Sequence, residues 1–311
     1  MLLGLKVDVD TLRGTREGVP RLVELFRAHD VRATFLFSLG PDHTGRAIKR
    51  VFRRGFVGKV RRTSVVRHYG VRTLLYGTLL PGPDIGRRAG NVMRAVRDAG
   101  HETGIHCFDH VRWQDGVASA DAEWTRRQFA RACERYVTVM KERPGTHGAA
   151  GWQMNVHALR LTQRYGFDYC SDGRGYGPHL PVWRGELVRC PQFPTTLPTL
   201  DELIGVDGVD ELNVAERLLA DTAERPYAGS HVFTLHAELE GMRLVDALDR
   251  LLAGWKAQGY AIGPVRTLYE AVEPMALPRC EVMPGEIAGR TGTLLVQGDE
   301  FLGDLDPRAA A

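Results

Sequence analysis

Strands alternating with helices, without an internal repeat, constrain this chain more than any other feature of its sequence. Leu2 to Val9 is rich in β-formers, Gly18 to His29 (GVPRLVELFRAH) carries Val19, Leu22, Val23, Leu25 and Phe26 at helical spacing behind Pro20, and Val31 to Leu39 is again β-rich. That β-α-β opening continues. Helical patterns at Ala89–Ala99, Asp121–Lys141, Asn155–Tyr165, Leu212–Ala223 and Leu244–Gln258 are interleaved with strand-like runs at His101–Phe108, Phe167–Ser171, Leu187–Cys190, Ser230–His236 and Ala261–Gly263. A short buried segment is expected at Thr146–Gly151. Such alternation predicts an α/β fold with a parallel sheet or barrel rather than a helical bundle or a sandwich.

In parallel α/β folds the chemistry collects at the carboxyl ends of the strands. The polar residues of this chain obey that rule. Leu3, Leu5 and Val7 alternate with Gly4, Lys6 and Asp8, so the first strand delivers Asp8 and Asp10 to the same face of its exit. His106 and His110 follow the strand HETGI, Asp172 follows FDYCS, and His236 with Glu238 follows HVFTL. Taken singly, each has an ordinary structural explanation as a turn, a cap or a hydrogen-bonded histidine. Their coincidence at strand ends points to a site.

His106 and His110 stand four apart in HCFDH, a spacing that one helical turn would bring to one side. With one aspartate from the first strand they make two imidazoles and a carboxylate, a set that leaves positions open for water and substrate and so suits catalysis rather than structure. The other aspartate is then free to act as a base. Mn, Co and Zn all suit this ligand set.

Composition bears on partners and compartment. The net charge is +3, but no acidic residue occurs between Asp42 and Asp84, while ten basic residues do. Without those ten, 31 Lys and Arg remain against 38 Asp and Glu. One segment therefore carries the basic character. Within residues 45–83, Ile48, Val51, Phe52, Phe56 and Val60 share a helical face, with Lys49, Arg50, Arg53, Arg54, Arg61 and Arg62 mostly elsewhere. The pattern predicts a basic amphipathic insertion for an anionic membrane surface, with Lys49, Arg50, Phe52, Arg53, Arg54 and Phe56 as its contacts. A solvated helix packed on its own domain is the alternative, and no nucleic-acid reading motif is present. The five cysteines are odd in number and form no CxxC pair, which argues against a disulfide framework and for a reducing compartment. MLLGLKVDVD reads as neither a signal peptide nor an anchor, so a peripheral protein on the cytoplasmic face of the inner membrane is expected. No protein partner is predicted.

The motifs taken together resemble the polysaccharide deacetylase family, carbohydrate esterase family 4. DVDTLRGTREGVPRL, FSLGPD, AAGW, SDGRG, PTTLPTLDELIG, TLHAELEG and EIAGRTG are similar, more closely, to bacterial deformylases of a polyprenyl-phosphate-linked formamido-arabinose in lipid A modification. The resemblance runs from the first strand to about Arg290 and implies one catalytic domain over residues 1–290 with a tail over 291–311. It implies a distorted (β/α) barrel and metal-dependent hydrolysis of the formamide, yielding formate and an amino-sugar lipid of the kind that confers polymyxin resistance. Carried over by position, His106 and His110 match metal ligands, Asp8 the catalytic base and His236 the catalytic acid. The family has adjacent aspartates with the second on the metal. Here Val9 intervenes, so Asp10 is taken as the ligand while an exchange of roles with Asp8 stays open. The HGAAGW loop lacks the arginine of the family's third motif, for which Arg174 is the candidate substitute. Arg13 and Arg16 are candidate phosphate contacts, and Trp152, Asp172, Arg174 and Glu238 complete the expected substrate-binding set. Two other functions are consistent with the same motifs: a metal-dependent deacetylase of another N-acylated glycan or small amide, and a non-catalytic lipid-binding protein.

Overall fold

A computed structural model describes residues 1–47, 70–224, 230–290 and 292–303. The first strand, β1 (Leu2–Val9), is central to it. Leu3, Leu5, Val7 and Val9 have no solvent exposure, and on the opposite face Lys6 and Asp8 are buried as well. A strand covered on both faces belongs to a parallel sheet flanked by helices.

That sheet contains seven strands among the described residues, all parallel, in the order β5-β4-β3-β2-β1-β8. They are β1, β2 (Thr34–Ser38), β3 (Glu102–Cys107), β4 (Thr146–His147), β5 (Tyr169–Cys170), β8 (His231–His236) and β9 (Ala261–Pro264). β9 shares one edge of β1 with β2, pairing with Leu2–Leu5 while β2 pairs with Lys6–Val9. The sheet curls until its outer strands β5 and β8 approach each other, and an extended segment crosses the gap. Phe193 N donates to Cys170 O at 2.8 Å on one side, and Thr196 N donates to Val232 O at 3.0 Å on the other. The expected distorted barrel is the fold observed.

Helices with apolar inner stripes close the outside, and their ends follow local chemistry. Asp84 caps Ile85–Asp98 by accepting from Arg87 N, Asp121 caps Ala122–Met140 through Trp124 N, and Asn155 caps Val156–Tyr165 through Ala158 N. The first of these is two helical stretches joined at a kink, Ala89 (φ −133°, ψ 17°), which is where the periodicity predicts the start; the turn ahead of it is the one that Asp84 caps. No helix among the described residues is long and apolar enough to cross a membrane.

A second sheet was not anticipated. Among the described residues it has four strands, β6 (Leu180–Trp183), β7 (Glu186–Leu187), β10 (Arg279–Gly285) and β11 (Leu294–Glu300), in the order β11-β10-β6-β7. β11 lies in the stretch read as a tail, yet Leu294 and Leu295 are buried and Leu295 O accepts from Arg174 N at 2.9 Å. The resemblance ended near Arg290, but the pairing with β10 continues the fold past it. The segment for which a basic amphipathic helix is expected, with Lys49, Arg50, Phe52, Arg53, Arg54 and Phe56, lies outside the described residues. Its described flank is a short helix, Val71–Leu75, with Val71, Leu79 and Leu80 exposed.

Candidate metal centre and active site

The exit of β1 is bolted to the exit of β8. Glu238 accepts from Asp10 N at 3.1 Å, Thr11 N at 2.8 Å and Thr11 Oγ1 at 2.7 Å, all on one carboxylate oxygen. The turn that follows, Gly14–Gly18, is one π-helical turn that presses against the same loop. A Cβ at Gly14 would lie 1.9 Å from Glu238 Oε1, and one at Gly18 would lie 1.9 Å from Ala237 O. Glycine is required there for close approach. Burial, and then the Asp10 charge, push the Glu238 carboxyl well above the usual carboxylate range. The structure thus places Glu238 as a buried clamp between two strand ends.

Asp10, His106 and His110 converge in front of this clamp. Asp10 Oδ1 lies 3.2 Å from His106 Nε2 and 3.4 Å from His110 Nε2, and the imidazole centroids are 5.3 Å apart. One ligand atom from each lies within 4.8 Å of the other two. The pair does not share a helical turn, as its spacing had implied. His106 belongs to β3, whereas His110 is the first residue of the helix His110–Gly116, beyond a bend at Phe108 and Asp109. Asp109 makes the bend by capping that helix through Arg112 N and by holding His43 Nδ1 at 2.7 Å. The strand end and the helix start replace the single turn.

The protonation pattern fits a cation. His106 Nδ1–H donates to Gly148 O at 2.7 Å, which leaves the Nε2 lone pair facing Asp10. Asp10 Oδ1 is buried and accepts no hydrogen bond. Two acceptors so close repel unless a proton or a metal lies between them. Burial opposes the charge on Asp10, yet His110, His106 and His236 together hold its carboxyl well below the usual range. Burial likewise opposes charge on His106, and Asp8 and Asp10 outweigh it to raise that imidazole. Two imidazoles and one carboxylate are a fitting donor set for a divalent metal, and these three residues would hold it.

Asp8 adjoins this group without facing the Nε2 atoms. Its Oδ2 pairs with Lys6 Nζ at 3.0 Å, and its Oδ1 is buried without a hydrogen bond, 3.7 Å from His106 Nδ1, the nitrogen committed to Gly148. Lys6 itself has no solvent exposure. Sequence reasoning passed over it, although a lysine two residues before an acid in an apolar strand shares that acid's face and was the signal to follow. His236 ends β8 in register with Asp8, and its backbone N–H donates to Glu240 Oε2 at 2.7 Å.

Burial pushes the Glu240 carboxyl up to about 7, against the pull of His236. A folded-state value above the ordinary 4.5 means stability from this group that is full below about pH 4.5 and lost as pH rises to about 7. The loss is on the order of 3 kcal/mol. Glu240→Gln is expected to flatten this part of the stability curve in urea melts between pH 4.5 and 8; an unaltered slope would exclude the assignment.

The remaining predicted residues are scattered around the barrel. Arg13 pairs with Glu17 at 3.0 Å, and Arg16 donates to Arg88 O at 2.8 Å on the surface of the first turn. Trp152 is buried at a left-handed φ of 52°, donates to Thr195 Oγ1 at 3.1 Å, and has Arg290, Arg174 and Lys6 over its ring at 4.4, 5.1 and 5.2 Å. Arg174 is paired with Glu202 at 2.5 Å and donates to Leu197 O at 3.2 Å. Asp172 has no exposure, and its two oxygens engage His147 at 2.6 Å and Gln192 at 2.9 Å. The structure brings Asp8, Asp10, His106, His110 and His236 together and does not bring Asp172 into their group.

Comparison with known proteins identifies the family and the fold. No protein-family model matches the chain. A protein of Shewanella sediminis (strain HAW-EB3), described as a "Probable 4-deoxy-4-formamido-L-arabinose-phosphoundecaprenol deformylase ArnD", is 36% identical over 94% of this chain and 93% of its own length. A protein of Wigglesworthia glossinidia brevipalpis with the same description is 30% identical over 77% of this chain and 82% of its own. Among solved structures, a Mycobacterium smegmatis protein described as a "putative polysaccharide deacetylase" has a TM-score of 0.64 at 18% identity, covering 92% of this chain and 94% of that one. The Puue allantoinase has a TM-score of 0.60 at 18% identity, covering 88% and 91%. The structural likenesses establish the fold alone. By its sequence, the chain belongs to the 4-deoxy-4-formamido-L-arabinose-phosphoundecaprenol deformylase family, whose members are amide hydrolases.

Proposed function

We propose that the chain hydrolyses the formamide of a polyprenyl-phosphate-linked 4-deoxy-4-formamido-L-arabinose, releasing formate and the 4-amino-4-deoxy-L-arabinose lipid. The observation that carries this reading is the identity with a deformylase relative along nearly the whole length of both chains, with Asp8, Asp10, His106, His110 and His236 gathered at the strand ends. A divalent ion held by Asp10, His106 and His110 would polarise the formyl carbonyl and lower the pKa of water. Asp8 takes a proton from the attacking water as its oxygen bonds to the formyl carbon. The C–N bond then breaks, and protonated His236 delivers its proton to the departing sugar nitrogen. Water supplies the oxygen of formate; one of its protons reaches the amine through these two residues, and the other, lost from the formic acid formed, converts the amine to the ammonium. The product carries a new positive charge, the chemical change by which lipid A modification would lower affinity for a cationic antibiotic such as polymyxin.

Formate release from the formamido-arabinose lipid, measured beside its N-acetyl counterpart with Mn, Co or Zn supplied, tests the reading. Turnover of the N-formyl lipid at least about tenfold faster is expected, since rejection of one extra methyl group is worth about 1–3 kcal/mol. Preference for the N-acetyl compound would make the enzyme a deacetylase.

The same reading places the enzyme at the cytoplasmic face of the inner membrane, where a polyprenyl lipid resides. The basic composition of residues 45–83 and the exposed Val71, Leu79 and Leu80 within that stretch support this placement. Each basic side chain near an anionic leaflet contributes about 1 kcal/mol. Reversing the charges of Arg50, Arg53 and Arg54 is expected to release the protein from anionic vesicles in a flotation assay, and undiminished binding would remove the segment from this role. Arg13 and Arg16, on the turn leaving β1, are the candidate contacts for the lipid phosphate in this reading.

A further inference from the structure

Lys6 is fully buried in the middle of the central strand, and among the described residues its ion pair is with Asp8. Three surroundings fix it there. Gly148 packs against it so closely that a Cβ would approach Lys6 Cε at 2.8 Å, the Trp152 indole lies 5.2 Å from Nζ, and Asp8 Oδ2 receives it at 3.0 Å. Gly148 is also the residue whose carbonyl orients His106. One loop thus holds both the ammonium against Asp8 and the imidazole against Asp10.

This arrangement divides the two acids. Asp8 has one oxygen taken by Lys6 and turns the other toward the Nδ1 side of His106, whereas Asp10 faces the Nε2 atoms of both histidines. We propose that Lys6 is a positioning residue that keeps Asp8 out of the metal's ligand set and aims its free oxygen for proton transfer. The inference rests on the hydrolytic reading above. Arg174, the candidate substitute for the arginine that the HGAAGW loop lacks, is paired with Glu202, and the cation at Asp8 comes from the same strand.

The test compares Lys6→Met and Lys6→Gln, each in wild-type and Asp8→Asn backgrounds, by metal content, kcat and KM for formate release. Lys6→Met is expected to bind one metal per chain with KM unchanged while kcat falls about 10²-fold, the scale of an impaired proton transfer. Lys6→Gln, which keeps an N–H donor in case the methionine variant does not fold, should fall less. In the Asp8→Asn background neither substitution should lower the residual rate further, since Lys6 then has no base to aim. Wild-type kcat in both single variants, loss of metal from them, or an equal further fall in the Asp8→Asn background would each overturn the inference. Full activity of Asp8→Asn would instead overturn the base assignment itself, a failure distinct from that of Lys6.

Discussion

His106→Ala is expected to lose bound metal and formate release together, while remaining folded. The imidazole supplies one of three donors, and its Nδ1–H bond to Gly148 O at 2.7 Å is what aims the other nitrogen. Deleting it leaves one histidine and one carboxylate, too few to hold a divalent ion against chelation at ordinary concentrations. The carbonyl polarisation and water activation lost with the ion are worth several kcal/mol. At 1.36 kcal/mol per decade this is a fall of at least about 10³-fold. Metal analysis of the purified variant, alongside the formate assay and a circular dichroism melt, checks all three statements. A variant with no metal and the wild-type rate would sink the hydrolytic role of the Asp10–His106–His110 group. Removing the ion from the wild-type enzyme with a chelator should reproduce the loss, and restoring Mn, Co or Zn in turn identifies which ion sustains turnover.

Much of this site could be read before the structure because its parts obey short-range rules. Alternation in LLGLKVDVD forces Asp8 and Asp10 to one face whatever surrounds them. Strand-helix alternation then places strand ends, and with them His106, His110 and His236, at one rim of the barrel. What escaped depends on long-range geometry. The assignment of Asp10 to the histidines turns on which nitrogen of His106 is committed to Gly148, a contact across 42 residues. Glu238 looked like a ligand-binding acid because it follows β8, but its partners are the backbone of Asp10 and the backbone and hydroxyl of Thr11, 228 and 227 residues away. Asp172 misled in the same way, since its partners His147 and Gln192 are invisible from its own turn. The second sheet went unseen because β7 is only two residues long and β10 contains Pro284, both weak strand signals.

The two acids of β1 are expected to fail in opposite ways. Asp10→Asn removes the negative donor facing two imidazoles, so metal affinity should fall by at least about 10-fold, the lower end of what even outer-shell partners contribute. Asp8→Asn leaves that donor set in place and removes only the group that accepts a proton from water. It should bind metal normally, keep KM, and lose about 10²- to 10⁴-fold in kcat. Asparagine is close to isosteric with aspartate, and its amide oxygen can still accept from Lys6 Nζ, so a fold-wide collapse is not the expected cause. The geometry behind this contrast is that Oδ2 of Asp8 lies 3.0 Å from an ammonium, whereas Oδ1 of Asp10 lies 3.2 and 3.4 Å from two imidazole nitrogens. Metal loss from Asp8→Asn with retention in Asp10→Asn would reverse the two roles. Loss from both would mean that the acids bind the ion jointly, and the proton acceptor would then have to be sought at His236, the residue in register with Asp8 on the neighbouring strand.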